Sequence, residues 1–184
     1  MTMQTNNKAP FVNRRTLLAA GSAGLVAATV AATTSTAHAH RASREEVHKW
    51  LTRAFVNEIF NGHRPDLAAT YMARDVVWHG GTLGTVSGLS NVTGLLSGFI
   101  GGLPDLVATE QDIVAEDDTV MIRMTIEATH LGPLLGIPAT GRRVRWDAVD
   151  VYRFSNRKIV EEWAADDTTA LLYQLGQYTP PWLA

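Results

Sequence analysis

Apolar positions over residues 43–61 recur at helical spacing. Val47, Trp50, Leu51, Ala54 and Phe55 form one stripe, and Asn61-Gly62 closes it. Ser43 and Glu46 have the form of a capping box at its start. Pro65 to Ala73 predicts a short second helix with proline at an early, tolerant position. Asp75-Val76-Val77-Trp78-His79 reads as a short strand stopped by Gly80-Gly81. Val92, Leu95, Leu96 and Phe99 give Ser90 to Ile100 helical spacing, which Gly94 and Gly98 weaken.

The period then changes from helix to strand. Leu106 to Ala115, Val120 to His130, Arg143 to Phe154 and Lys158 to Ala164 predict four strands in a meander. Glu116-Asp117-Asp118 and Ser155-Asn156-Arg157 supply two turns, and a Gly/Pro-rich loop lies between His130 and Arg143. Thr168 to Leu175 reads as a closing helix ended by Gly176. Helices segregated from an antiparallel sheet predict an α+β domain.

Residues 1–39 differ in composition from the rest. Lys8, Arg14 and Arg15 precede an uncharged apolar run from Leu17 to Ala32, and Ala37-His38-Ala39 follows. That order reads as an export signal, and Arg14-Arg15 before Thr16-Leu17-Leu18 resembles a twin-arginine signal. The expectation is a single mature domain over 40–184, exported to a periplasmic or secreted location. The whole chain carries a net charge of −2, and loss of three basic residues leaves −5, which argues against nucleic-acid or anionic-membrane partners. No stable membrane association is expected after cleavage. The sequence has no Cys, which excludes a disulfide scaffold and a thiol nucleophile. It has no Gly-rich phosphate loop and no Gly-x-Ser-x-Gly elbow.

Several motifs in order carry a resemblance. They are Val76-Val77-Trp78-His79, Pro104-Asp105, His130-Leu131-Gly132 and Gly136-Ile137-Pro138-Ala139-Thr140-Gly141. Val151-Tyr152-Arg153-Phe154, Lys158-Ile159-Val160-Glu161-Glu162-Trp163, Asp167 and Gln174-Leu175-Gly176 complete the set. Over about residues 45 to 176 the chain resembles the SnoaL-like polyketide cyclases, also called ester cyclases. The resemblance implies a nuclear-transport-factor-2-like cone: a curved antiparallel sheet packed on about three helices around an apolar pocket. It also implies intramolecular aldol chemistry without metal or cofactor. Relatives on this fold include dehydratases, isomerases, lyases, hydroxylases and binders, so fold alone leaves the activity open. One departure stands out: the acid/base aspartate of the founding cyclases falls at Ala164 here.

Period-2 alternation sorts the strand faces. Val120, Ile122, Met124, Ile126, Ala128 and His130 share a face, as do Val144, Trp146, Ala148, Asp150, Tyr152 and Phe154. Val160, Glu162, Ala164 and Asp166 share the face of the vacated position. The resemblance puts His130 and Asp150 at cavity-lining positions. His130, Asp150 and Glu162 are therefore the expected proton-transfer groups, with His79 as a further candidate. Trp78, Trp146, Tyr152, His79 and Asp166 are expected to contact substrate. Of Asp166 and Asp167, at least one is expected to cap the last helix. Tight metal-ligand spacing is absent from the sequence, so no metal site is expected.

The function expected on this basis is cofactor-independent acid/base catalysis on a small, mostly apolar carbonyl compound. The alternatives are a non-catalytic binding protein, favoured by Ala164, and a lyase, dehydratase or isomerase. A homodimer through the open sheet face is expected from the resemblance.

Overall fold

The computed structural model describes residues 40, 41 and 43–183; the expected export signal lies outside the described residues. Helix α1 covers 43–55 and runs into a π-helical turn, Val56–Asn61. A 3-10 turn Pro65–Leu67 leads into α2, Ala68–Tyr71, and strand β1 is Met72–His79. Then follow β2, Thr85–Ser87, and α3, Leu89–Gly102. The long strands are β3, Val107–Glu116, β4, Thr119–Thr129, β5, Arg143–Ser155, and β6, Lys158–Asp166. Helix α4, Thr168–Gln174, closes the domain. The architecture is α+β, and no described helix is long and apolar enough to cross a membrane.

The six strands form one sheet in the order β2-β1-β6-β5-β4-β3. The expected meander from β3 to β6 is antiparallel throughout. The sheet is mixed, however, because β1 lies parallel to β6. A parallel neighbour needs a long crossover, and α3 with the three meander strands before β6 supplies it.

Alternation holds along β5, where Val144, Trp146, Ala148, Asp150, Tyr152 and Phe154 are all buried. It slips in β6. The register shifts between Arg153 and Phe154, so Ile159 rather than Val160 is buried, and Glu162, Ala164 and Asp166 follow in the inward phase.

Helix α1 covers this face through Phe55, whose ring meets Tyr152 edge-on at 5.6 Å. The buried stripe differs from the expected one. Trp50 is 60% exposed, and His48 takes an inward place, stacked on Phe154 at 4.6 Å. Thr52 is also buried, its hydroxyl donating to the His48 carbonyl, so polar residues mask the true helical face. Ser43 is not an N-cap, because residues 40 and 41 are already helical; Glu46 pairs with Lys49 instead. Asp167 does cap α4, accepting from the Ala170 N–H at 2.9 Å.

The loop after β4 is tied to the end of α3. Leu131 and Gly132 N–H groups both donate to the Gly102 carbonyl. Any Cβ at Gly132 would run into the Gly101 carbonyl oxygen, so glycine is required there by close approach of two backbones. This contact fixes Pro133, Leu134 and Leu135 where they form one wall of the site described next.

Candidate functional site

The sheet, α3, α4 and the loop after β4 line a partly open cavity of about 310 Å³. Phe60 from the π-helical turn, Trp78 from β1, Phe99 from α3 and Trp146 from β5 supply aromatic walls. Gly94 and Gly98, one turn apart on α3, also line it, and a Cβ at either would meet nothing within 4 Å. The two glycines that weaken the helix in the sequence thus leave volume in the site. Gly98→Leu is expected to keep or raise the melting temperature, since leucine favours helix by about 1 kcal/mol. It should weaken binding of an aromatic probe about tenfold or more, read by quenching of Trp78 and Trp146 fluorescence.

Against these apolar walls the sheet presents three carboxylates: Asp150, Glu162 and Asp166. Strand register explains their grouping. Asp150 pairs with Ala164 across β5 and β6, and Glu162 and Asp166 flank Ala164 on the same face. The methyl of Ala164 therefore sits among three acids rather than being one. Tyr152 pairs with Glu162, and Trp78 lies beside Glu162 through the parallel β1 pairing.

Hydrogen bonding divides the three acids. The Tyr152 hydroxyl donates to Asp150 Oδ2 at 3.0 Å, and the Trp146 indole donates to Asp166 Oδ1 at 2.7 Å. Glu162 receives no such bond. Asp150 is 5% exposed and Glu162 2%, yet Asp150 Oδ1 and Glu162 Oε2 have no partner. Burial pushes the Asp150 carboxyl up to about 7; the Asp166 charge adds to the rise and the Tyr152 bond opposes it. Burial, then the charges of Asp150 and Asp166, hold Glu162 well above the usual carboxylate range. Burial also raises Asp166, with the Trp146 bond opposing. Tyr152 is raised well above an ordinary phenol by burial and by Asp150 and Glu162, so it stays a donor. At neutral pH the cluster therefore holds protons as well as charge, which is what acid/base work needs.

The structure brings together Asp150, Glu162, Asp166, Trp78 and Trp146, all on the cavity wall. It does not bring His130 to them. His130 is fully buried just past β4, while Asp150 pairs with Ile122, eight residues earlier on that strand. The separation is roughly 25 Å along the strand. His130 Nδ1 lies 3.0 Å from the Thr140 hydroxyl and accepts from the Thr140 N–H at 3.3 Å, which places it in the fixing of the loop. The expected grouping of His130 with Asp150 and Glu162 is thereby corrected: a shared face does not imply nearness along it.

His79 also lies elsewhere. Trp78 faces the cavity, so its neighbour His79 turns to the opposite face of the sheet. There it sits 3.0 Å from Glu161 and stacks on Trp163 at 5.3 Å. Arg153 joins the same group, donating to Glu161 at 2.7 Å. Tyr152 is not on the cavity wall; it stands behind Asp150 and reaches the site through that carboxylate. A buried ion pair of Asp150 with Arg143 or Arg145 does not form, because Asp150 bonds only to Tyr152 and Arg145 turns outward to Glu127.

Comparison with known proteins agrees with this architecture. The family SnoaL-like polyketide cyclase matches residues 51–175. No curated protein matches the chain significantly. Among solved structures, AclR from Streptomyces galilaeus, named a candidate hydroxylase, is 30% identical with a TM-score of 0.65, covering 73% of this chain and 99% of its own. IdmH from Streptomyces antibioticus, named a candidate polyketide cyclase, is 27% identical with a TM-score of 0.60, covering 70% and 98%. A candidate SnoaL-like polyketide cyclase from Jannaschia sp. CCS1 shares the fold at 17% identity, with a TM-score of 0.68 over 74% and 95%.

Proposed function

The chain belongs to the SnoaL-like polyketide cyclase family, and we propose that it is a cofactor-independent acid/base enzyme whose working pair is Asp150 and Glu162. The observation that carries this reading is a pair of buried carboxyls, each with an unpartnered oxygen, on the wall of an apolar cavity. The substrate is a small, mostly apolar carbonyl compound, and the reaction is aldol-type ring closure.

The two acids take different roles because their partners differ. The Tyr152 bond favours the ionised form of Asp150, so Asp150 gives up its proton first and serves as base. Glu162, with no donor bonded to it, keeps its proton and serves as acid. Asp150 removes a proton from the carbon next to a carbonyl. Glu162 donates to that carbonyl oxygen as negative charge develops on it. As the enol carbon bonds to a second carbonyl carbon of the same molecule, the enol O–H returns its proton to Glu162, and the new alkoxide oxygen takes the proton that Asp150 removed, so both acids end as they began. The apolar walls hold the two carbons near each other. Because Ala164 occupies the position of the family aspartate, the proton work passes to the two acids packed around it.

The same pocket could bind without turnover, a reading that Ala164 favours. One experiment separates the two. The full chain is mixed in D₂O with an aromatic 1,3-diketone, and loss of the C–H signal next to the carbonyl is followed by NMR. Exchange faster than the buffer rate supports the enzyme. Saturable tryptophan quenching by the diketone with exchange at the buffer rate supports a binder.

Export through residues 1–39 and pairing of two copies belong to the same proposal. Val114 and Met121 are exposed on the sheet face away from the cavity, beside half-buried Val149 and Val151, and a second copy would cover them.

A further inference from the structure

The cavity carries acceptors and almost no donors. Its wall holds three carboxylates but no Lys, Arg or His, and the one indole N–H that bonds to them, from Trp146, is spent on Asp166. Buried charge is ordinarily paired with a cation or heavily hydrogen-bonded. Here Asp150 Oδ1 and Glu162 Oε2 are without partners, both in side chains more than nine-tenths buried. No group of three His, Asp or Glu side chains among the described residues is arranged to hold a metal ion. The counter-charge that would let these acids ionise is therefore not supplied by the described protein.

We infer that the ligand supplies it: the cavity selects a mostly apolar compound bearing a protonated amine, seated against Asp150 and Glu162. An ammonium offers N–H donors and a positive charge to oxygens that lack both. Trp78, Trp146, Phe60 and Phe99 present aromatic walls on which a cation and its hydrocarbon body are both favoured. A neutral hydroxyl compound would satisfy an oxygen but bring no charge that lets the acids ionise. A carboxylate would add a fourth acid to three that already repel. This inference takes the same cavity as the ligand site but rests on the binding reading of it, since an ammonium held by Asp150 and Glu162 occupies the oxygens that proton transfer would need.

The test uses three probes with one skeleton: 2-(1-naphthyl)ethylamine, 2-(1-naphthyl)ethanol and 1-naphthylacetate. Their affinities for the full chain are measured at pH 7 by calorimetry and tryptophan quenching. The expected order is amine, then alcohol, then acid, with amine over alcohol by about tenfold or more, the factor one charge-assisted hydrogen bond supplies. Asp150→Asn combined with Glu162→Gln should bring amine and alcohol to within about twofold of each other. An alcohol that binds as well as the amine, a carboxylate that binds better, or an amine that does not bind would overturn the inference. The wild-type order alone decides it, even if the double variant fails to fold. The outcome is independent of isotope exchange, so this inference and the catalytic reading fail separately.

Discussion

Asp150→Asn is expected to flatten the dependence of stability on pH between about 4 and about 7. In the folded protein the Asp150 carboxyl is raised from 3.8 to about 7, chiefly by burial. Between those values the folded state holds a proton that the unfolded chain has released. Stability therefore falls as pH rises through this window. It is fully present below pH 4, where both states are protonated, and the loss is complete once the pH passes about 7. A carboxyl moved that far costs the folded state about 4 kcal/mol at pH 8. Asparagine cannot ionise, and it keeps an oxygen for the Tyr152 hydroxyl. It leaves a buried amide in place of an unpartnered oxygen, a loss that does not vary with pH. The difference in slope, rather than the absolute melting temperature, is the diagnostic quantity. Urea unfolding at pH 4, 6 and 8 reads it directly. Parallel curves for the variant and the wild type would show that Asp150 does not carry the raised proton affinity.

A site that destabilises its own fold is the pattern expected where function sets the residue choice. Nothing in packing calls for Asp150 or Glu162. Their neighbours on the inward faces of β4 and β5, Ile122, Met124, Ala148 and Trp146, are apolar, and an apolar residue at either position would complete the core.

This conflict is what made the two acids legible in the sequence. An aspartate in the inward phase of a strictly alternating strand stands out, and β5 alternates without fault from Val144 to Phe154. The meander and the α+β class were legible for the same reason, since period 2 and period 3.6 separate cleanly along this chain. Distance along a strand was not legible. Alternation gives the face of His130 but not how far it stands from Asp150, and only the β4–β5 register fixes that. The side of His79 could have been read: with Val76 and Trp78 inward, the next residue must turn out. The parallel placement of β1 had no local signal, because the partner strand lies some eighty residues later. The shift at Val160 was equally hidden, as a bulge changes phase without changing composition. Gly94 and Gly98 were visible as weak points of a helix. Their meaning as cavity lining needed the sheet that faces them.

The two acids should also separate in kinetics. Asp150→Asn removes the base and is expected to lower diketone exchange by about 10²–10⁴-fold, the usual worth of a positioned proton acceptor. Glu162→Gln keeps a donor at the carbonyl oxygen, because an amide N–H can still reach it, but loses the acidic proton; a fall of about 10²–10³-fold is expected. Affinity for a neutral aromatic ligand should change little in either variant, since the aromatic walls are untouched. The pH profiles then distinguish the roles. Wild-type exchange rises as Asp150 loses its proton, bending near pH 7, and declines at higher pH as Glu162 loses its own. In Glu162→Gln the upper decline disappears while the lower rise remains near pH 7, because Glu162 is still neutral when Asp150 ionises. In Asp150→Asn the lower rise disappears. If instead the two variants give the same profile, Asp150 and Glu162 do not divide the work as base and acid. If both retain full exchange, the proton passes through neither, and the buried carboxyls hold a ligand rather than transform it.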